Sequence, residues 1–208
     1  MNHPRPAGLG LRAFKGGAVA VCLALVDNEP RVVFSTLMKT SVESDRLSFE
    51  PYKVAAEMPC AAPGKPSAES VAAVEEGRRR QDQLATKNLR NLLLQLAEAG
   101  YKPAVAGLLV NRAGWITDLL DYSLAWPEHV PVAELLAVRD ALRFALAQCD
   151  IKITELDEKS LAELAAKKLG MSPERIEAHT KALGASVAKP WRKEQKQACL
   201  AAWLVARP

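Results

Sequence analysis

The stretch Gly8-Leu9-Gly10-Leu11-Arg12-Ala13-Phe14-Lys15-Gly16-Gly17 decides how the rest of the chain is read. Its apolar residues up to Phe14 predict a strand, Gly16-Gly17 predict a turn, and Ala18-Val19-Ala20-Val21-Cys22-Leu23-Ala24-Leu25-Val26 predicts the returning strand. That second run alternates small and large apolar side chains, as in a strand covered on both faces. One face lets a neighbour approach closely and the other fills volume. Asp27-Asn28-Glu29-Pro30 is dense in turn formers, and Arg31 to Met38 reads as a third strand. With Leu9 to Phe14 these make a three-strand antiparallel meander.

Beyond the meander, residues 39–66 form a loop-rich connection broken by Pro51, Pro59, Pro63 and Pro66, with Tyr52 to Glu57 its most ordered part. Ser67 is positioned to cap a helix that runs to about Ala99 and is stopped by Gly100 and Pro103. Leu84, Leu89, Leu92, Leu93 and Leu96 give this helix an apolar face. Ala104 to Val110 reads as a buried strand, and Val132 to Cys149 as a helix with Leu135, Val138, Leu142, Ala145 and Leu146 at helical spacing. Ile151 to Leu156 predicts a fifth strand. Asp157 is expected to cap a helix that ends at Gly170, and Ser172-Pro173 opens a short helix closed by Gly184. Trp191 to Ala206 is the last helix, with Trp191, Ala198, Cys199, Ala202 and Trp203 on one side. The expected organisation is one domain over 1–208, with 171–188 a small helical insertion.

Composition bounds the partners. The chain has 208 residues, 49% apolar and 25% charged, which is enough to bury a core and argues against wholesale disorder. A net charge of +4 permits an anionic partner without requiring one. Cys22, Cys60, Cys149 and Cys199 lie far apart without paired spacing, which fits thiols in a reducing compartment better than disulfides or a zinc site. No apolar run reaches the ~18 residues that span a membrane. Ala18 to Val26 is short for a signal core, and no small-residue cleavage site follows it. A cytoplasmic location and no cofactor are expected.

The succession of three antiparallel strands, helix, strand, helix, strand and terminal helix resembles the ribonuclease H-like fold, including the Holliday-junction resolvases. The resemblance covers Leu9 to Ala206 and is one of topology. It implies an α/β protein with a mixed five-stranded sheet, a meander plus parallel strands, flanked by helices. Active members of the family are implied to gather carboxylates from the first strand, the fourth strand and the final helix around divalent metals. In this sequence Arg12 stands at the first position, Val110-Asn111-Arg112 carries no acid at the second, and Glu194 is the only acid early in the final helix. No metal site is therefore expected. The related sugar-kinase and actin-like fold also normally carries an Asp on its first strand and pairs two such units, which this chain is too short to hold.

Two sets of residues are candidates. Arg12, Lys15, Gly16 and Gly17, with Asn111 and Arg112 after the fourth strand, would form an anion site of cations and turn amides. Glu128, His129, Glu134 and Asp140 would be relocated acid–base groups, with Asp157 beside the fifth strand. Trp126 and His129 have a packing and capping alternative, and Asp157 a capping one. Arg78-Arg79-Arg80, and Lys189 with Trp191, Arg192, Lys193 and Lys196, are basic clusters that read first as solvated faces. The expectation is a non-catalytic or atypical binding protein for a phosphate-bearing ligand, with nucleic acid the candidate partner. A metal-dependent hydrolase or nuclease with relocated acids, and a structural protein that forms homo-oligomers, stay open as alternatives.

Overall fold

The computed structural model describes residues 4–62, 65–111, 114–187 and 189–207. Its centre is a five-stranded sheet of order β3-β2-β1-β4-β5, built from β1 (Arg5–Phe14), β2 (Gly17–Val26), β3 (Glu29–Lys39), β4 (Tyr101–Val110) and β5 (Lys152–Asp157). β1, β2 and β3 pair antiparallel, while β4 runs parallel to β1 and β5 parallel to β4. The expected meander and parallel extension are both present.

Volume complementarity across the strands explains why the sheet is packed on both faces. On one face Leu9 and Leu11 of β1 sit opposite Cys22 and Ala20 of β2. On the other, Gly8 and Gly10 sit opposite Leu23 and Val21. The Leu face packs on α3 (Ala68–Glu98) and α5 (Val130–Gln148) through Leu89, Leu92, Leu96, Leu142 and Leu146. The Gly face receives α8 (Lys193–Ala206), whose Ala198, Ala201, Ala202 and Trp203 are fully buried. A Cβ on Gly10 would lie 1.8 Å from the Ala198 carbonyl oxygen, and one on Gly8 2.3 Å from that of Ala202. Helix and strand backbones thus touch directly, which only glycine allows.

Most element ends follow local chemistry. Asp27 and Asn28 both take left-handed φ values (53° and 65°) in a two-residue hairpin turn. The Ser67 side chain accepts from the Ser70 N–H at the start of α3, and that of Ser172 from the Arg175 N–H at the start of α7 (Pro173–Leu183). β1 and β4 each begin earlier than expected, because Arg5 to Ala7 pair with Tyr101 to Pro103 and the register then shifts between Ala7 and Gly8. An irregularity at that point accommodates Pro103 within a strand. The 39–66 connection holds α1 (Arg46–Phe49) and α2 (Pro51–Ala56).

Two local expectations need correction. Asp157 does not cap the following helix. Its Oδ1 accepts from the Lys159 N–H at 3.1 Å, and α6 (Leu161–Leu169) starts later, behind Ser160. α4 (Leu119–Ala125) has no counterpart in the sequence reading, although Asp118 caps it by accepting from Leu120 and Asp121. No helix among the described residues is long and apolar enough to cross a membrane.

Candidate functional site

Register brings three strand ends together. Arg12 sits opposite Leu109 of β4, and Val110 sits opposite Asp157 of β5, so β1, β4 and β5 finish along one edge. Strand alternation puts Arg12 on the α8 face, two residues beyond Gly10. Its guanidinium donates through Nε (3.2 Å) and Nη2 (2.9 Å) to Oε1 of Glu158. The Glu158 backbone N–H donates to the Val110 carbonyl, which fixes that carboxylate at the strand edge. Both side chains are about one-fifth exposed, at 21% and 20%.

The edge holds further guanidiniums. Arg78 donates to Asp140 Oδ2 at 2.7 Å, Arg143 donates to Asp140 Oδ1 at 2.8 Å, and Arg143 donates to Glu155 Oε1 at 2.6 Å. This chain of charges and Asn111 line a cavity of about 670 Å³, walled by Val74, Leu119 and Leu136. Arg139 on α5 is only 3% exposed and its Nε has no hydrogen-bond partner among the described residues. Burial lowers its affinity for the proton; Glu158 and Glu155 act against that, while Arg143 and Arg12 add to it. The guanidiniums of Arg12, Arg78, Arg139 and Arg143 therefore face the carboxylates of Asp140, Glu155 and Glu158, with Arg139 the poorly satisfied member.

The remaining candidates scatter. Lys15 donates to Glu50 Oε2 at 3.0 Å and lies 4.5 Å above the Phe49 ring. Gly16 has φ of 86°, and a Cβ there would lie 2.8 Å from Phe49; a Cβ on Gly17 would lie 2.4 Å from the Met38 carbonyl oxygen. Close packing is thus a sufficient reason for both glycines. Arg112 lies outside the described residues.

Glu128 is exposed in the 3-10 turn Pro127–His129. His129 stacks on Tyr122 (centroids 4.0 Å apart) and its Nδ1 is 2.9 Å from the Tyr122 carbonyl. Glu134 is buried beneath α2, where Oε1 accepts from the Tyr52 and Lys53 N–H groups at 2.9 and 3.0 Å. Asp140 belongs to the arginine chain, so these acid–base candidates do not share a pocket.

The Arg78-Arg79-Arg80 cluster is engaged in ion pairs. Arg79 and Arg80 pair with Glu76, and Arg80 also with Asp45. Trp191 packs against Gly184 and donates Nε1–H to the Thr180 carbonyl at 2.9 Å. Glu158 and the buried Arg139 were the site residues hardest to find in sequence. The only signal for Glu158 is its position directly after a strand that runs parallel to β4.

The metal implied by the fold requires oxygen ligands converging on this edge. At the first-strand position stands Arg12 in its ion pair; β4 leads into Asn111; and on α8 Glu194 lies in the first turn, while Ala198 is pressed onto Gly10. Among the described residues no three His, Cys, Asp or Glu side chains are grouped to hold a metal ion. These residues do not fit the group.

A mixed sheet of order 3-2-1-4-5, with one long helix on the glycine face and two on the other, defines the ribonuclease H-like fold. Solved structures similar to this chain include Holliday-junction resolvases. The chain is similar to Thermus thermophilus RuvC at TM-score 0.53 and 8% identity, covering 95% of this chain and 92% of that one. The T. thermophilus RuvC complex with Holliday junction substrate gives TM-score 0.53 and 8% identity over 96% and 92%. The yeast mitochondrial Holliday junction resolvase Ydc2 gives TM-score 0.48 and 12% identity over 98% and 80%. No family model and no curated protein matches the sequence.

Proposed function

We propose that this chain is a non-catalytic nucleic-acid-binding protein that holds backbone phosphates at the carboxyl edge of β1, β4 and β5. Arg12, Arg139 and Asn111 are the contact groups, with Arg112 following Asn111 in sequence, while Lys15 is held by Glu50 at a separate cavity. The observation that carries the reading is Arg139, a buried guanidinium whose Nε has no partner among the described residues, near Arg12. Burying a cation without full hydrogen bonding is costly, and an arriving phosphate offsets that cost with charge-assisted bonds. Glu158 holds Arg12 in position and yields it when a phosphate competes. Among the described residues no acids converge at the same edge to hold a metal, which favours binding over metal-dependent cleavage. The likeness in fold to T. thermophilus RuvC in complex with Holliday junction substrate supports four-way DNA as the first ligand to test.

The experiment is fluorescence anisotropy with a labelled four-way DNA junction and a duplex of the same arms, in EDTA and in Mg²⁺, followed by analysis of the strands. The reading expects saturable binding of equal strength in EDTA, steep loss with salt, and intact strands in Mg²⁺. Absence of binding near 50 mM salt would sink it, and so would salt-insensitive binding. Strand scission that depends on Mg²⁺ would replace it with the nuclease alternative.

A further inference from the structure

A second cavity lies apart from the arginine edge, between α2, α4 and the start of α5, with a volume of about 660 Å³. Leu124, Pro127, Val130 and Pro131 form an apolar wall, and Glu134 also lines it. Glu134 is 3% exposed, and its two oxygens have different fates. Oε1 accepts both N–H groups at the start of α2, whereas Oε2 is buried without a partner among the described residues. The charged groups on the rim are engaged with one another. Lys15 lies 3.0 Å and Lys53 3.6 Å from Glu50, and Glu57 pairs with Arg46. The cavity therefore combines an apolar body-binding surface with one buried, unanswered acceptor. An interior carboxylate in that position is balanced best by a cationic N–H donor.

We propose that this cavity binds a small primary amine with an apolar body, its ammonium group donating to Glu134 Oε2 and its hydrocarbon part lying on Leu124, Pro127, Val130 and Pro131. The volume falls within the about 300–1,000 Å³ of small-molecule sites, and a mostly apolar lining with one polar anchor is their usual design. The inference is independent of the nucleic-acid reading.

The probe is 2-phenylethylamine, with 2-phenylethanol as the uncharged control, titrated at pH 8 by calorimetry into the full chain and its Glu134→Gln variant. Gln keeps a carbonyl oxygen for the two α2 N–H groups but turns the other atom into a donor, so the local cap survives while the amine is repelled. Cys60, an exposed thiol on the cavity rim, gives a second readout through its alkylation rate, followed by mass spectrometry. We expect saturable amine binding, at least tenfold weaker in Glu134→Gln and at least tenfold weaker for the alcohol, with Cys60 alkylation slowed by the amine in the parent chain alone. Equal binding by the folded variant overturns the proposal, as does equal binding of the alcohol. So does no binding at millimolar amine, the result if water alone answers Oε2.

Discussion

At the scale of single residues, the two functional readings rest on groups that the fold leaves poorly satisfied. Replacing Arg139 by Met keeps length and removes a buried charge. Because exchanging buried ionic groups for apolar ones of similar size is often neutral or stabilising, Arg139→Met is expected to leave the melting temperature unchanged or raised while weakening DNA binding about tenfold or more. A lowered melting temperature with unchanged binding would make Arg139 a structural residue. Glu134 gives a pH signature. Burial pushes its carboxyl up to about 7 from 4.5, against the two α2 N–H groups that pull it down. A raised acid stabilises the fold fully below its unfolded value, and that stability is lost as pH rises through the folded one. Across about pH 4.5 to 7 the loss is of order 3 kcal/mol. Glu50 is held down at about 2 by Arg46, Lys15 and Lys53, so its own contribution falls away only at much lower pH. Denaturant unfolding at pH 5 and pH 8 is expected to show this loss in the parent chain and little of it in Glu134→Gln; parallel losses would remove Glu134 as the cause.

Among the elements, α8 on the glycine strip of β1 is the contact that fixes the architecture. Gly10→Ala inserts a methyl group where the Ala198 carbonyl already stands. The helix must lift or the strand must bend, at about 2–3 kcal/mol or more, and chemical denaturation of this variant would measure it. Loss of well under about 1 kcal/mol would show that α8 is not seated as described. The alternation of small and large side chains in β2 was legible in the sequence, whereas the Gly8 and Gly10 strip was not, because its depth is set by α8, which lies far along the chain. Ser67 and Ser172 were equally legible, since a cap is a local bond. What could not be read depended on contacts distant in sequence. The partner of Arg12 is 146 residues away, and Glu134 looked catalytic because nothing local reveals that it lies under the start of α2. Asp157 looked like a cap because it comes just before a helix, yet it serves the turn that leaves β5. α4 went unread although Asp118 marks its start, because the prolines at 127 and 131 made the whole segment look like loop.

For the whole molecule, a ribonuclease H-like sheet brings the ends of β1, β4 and β5 together, and guanidiniums with their carboxylate partners line that edge. The sheet order delivers Arg12, Asn111 and Glu158 to one edge, and α5 adds Arg139 from beneath. Net charge of +4 is too small to hold DNA by diffuse attraction alone, so the proposed binding depends on specific contacts at this edge. The most direct measurement is the slope of log K against log salt for a four-way DNA junction, compared between the parent chain and the Arg12→Gln, Arg139→Met double variant. The account predicts a slope shallower by about 1–2 in the variant, since each lost phosphate contact removes about 0.9, with the fold intact by circular dichroism. Two parallel lines of equal affinity would contradict it.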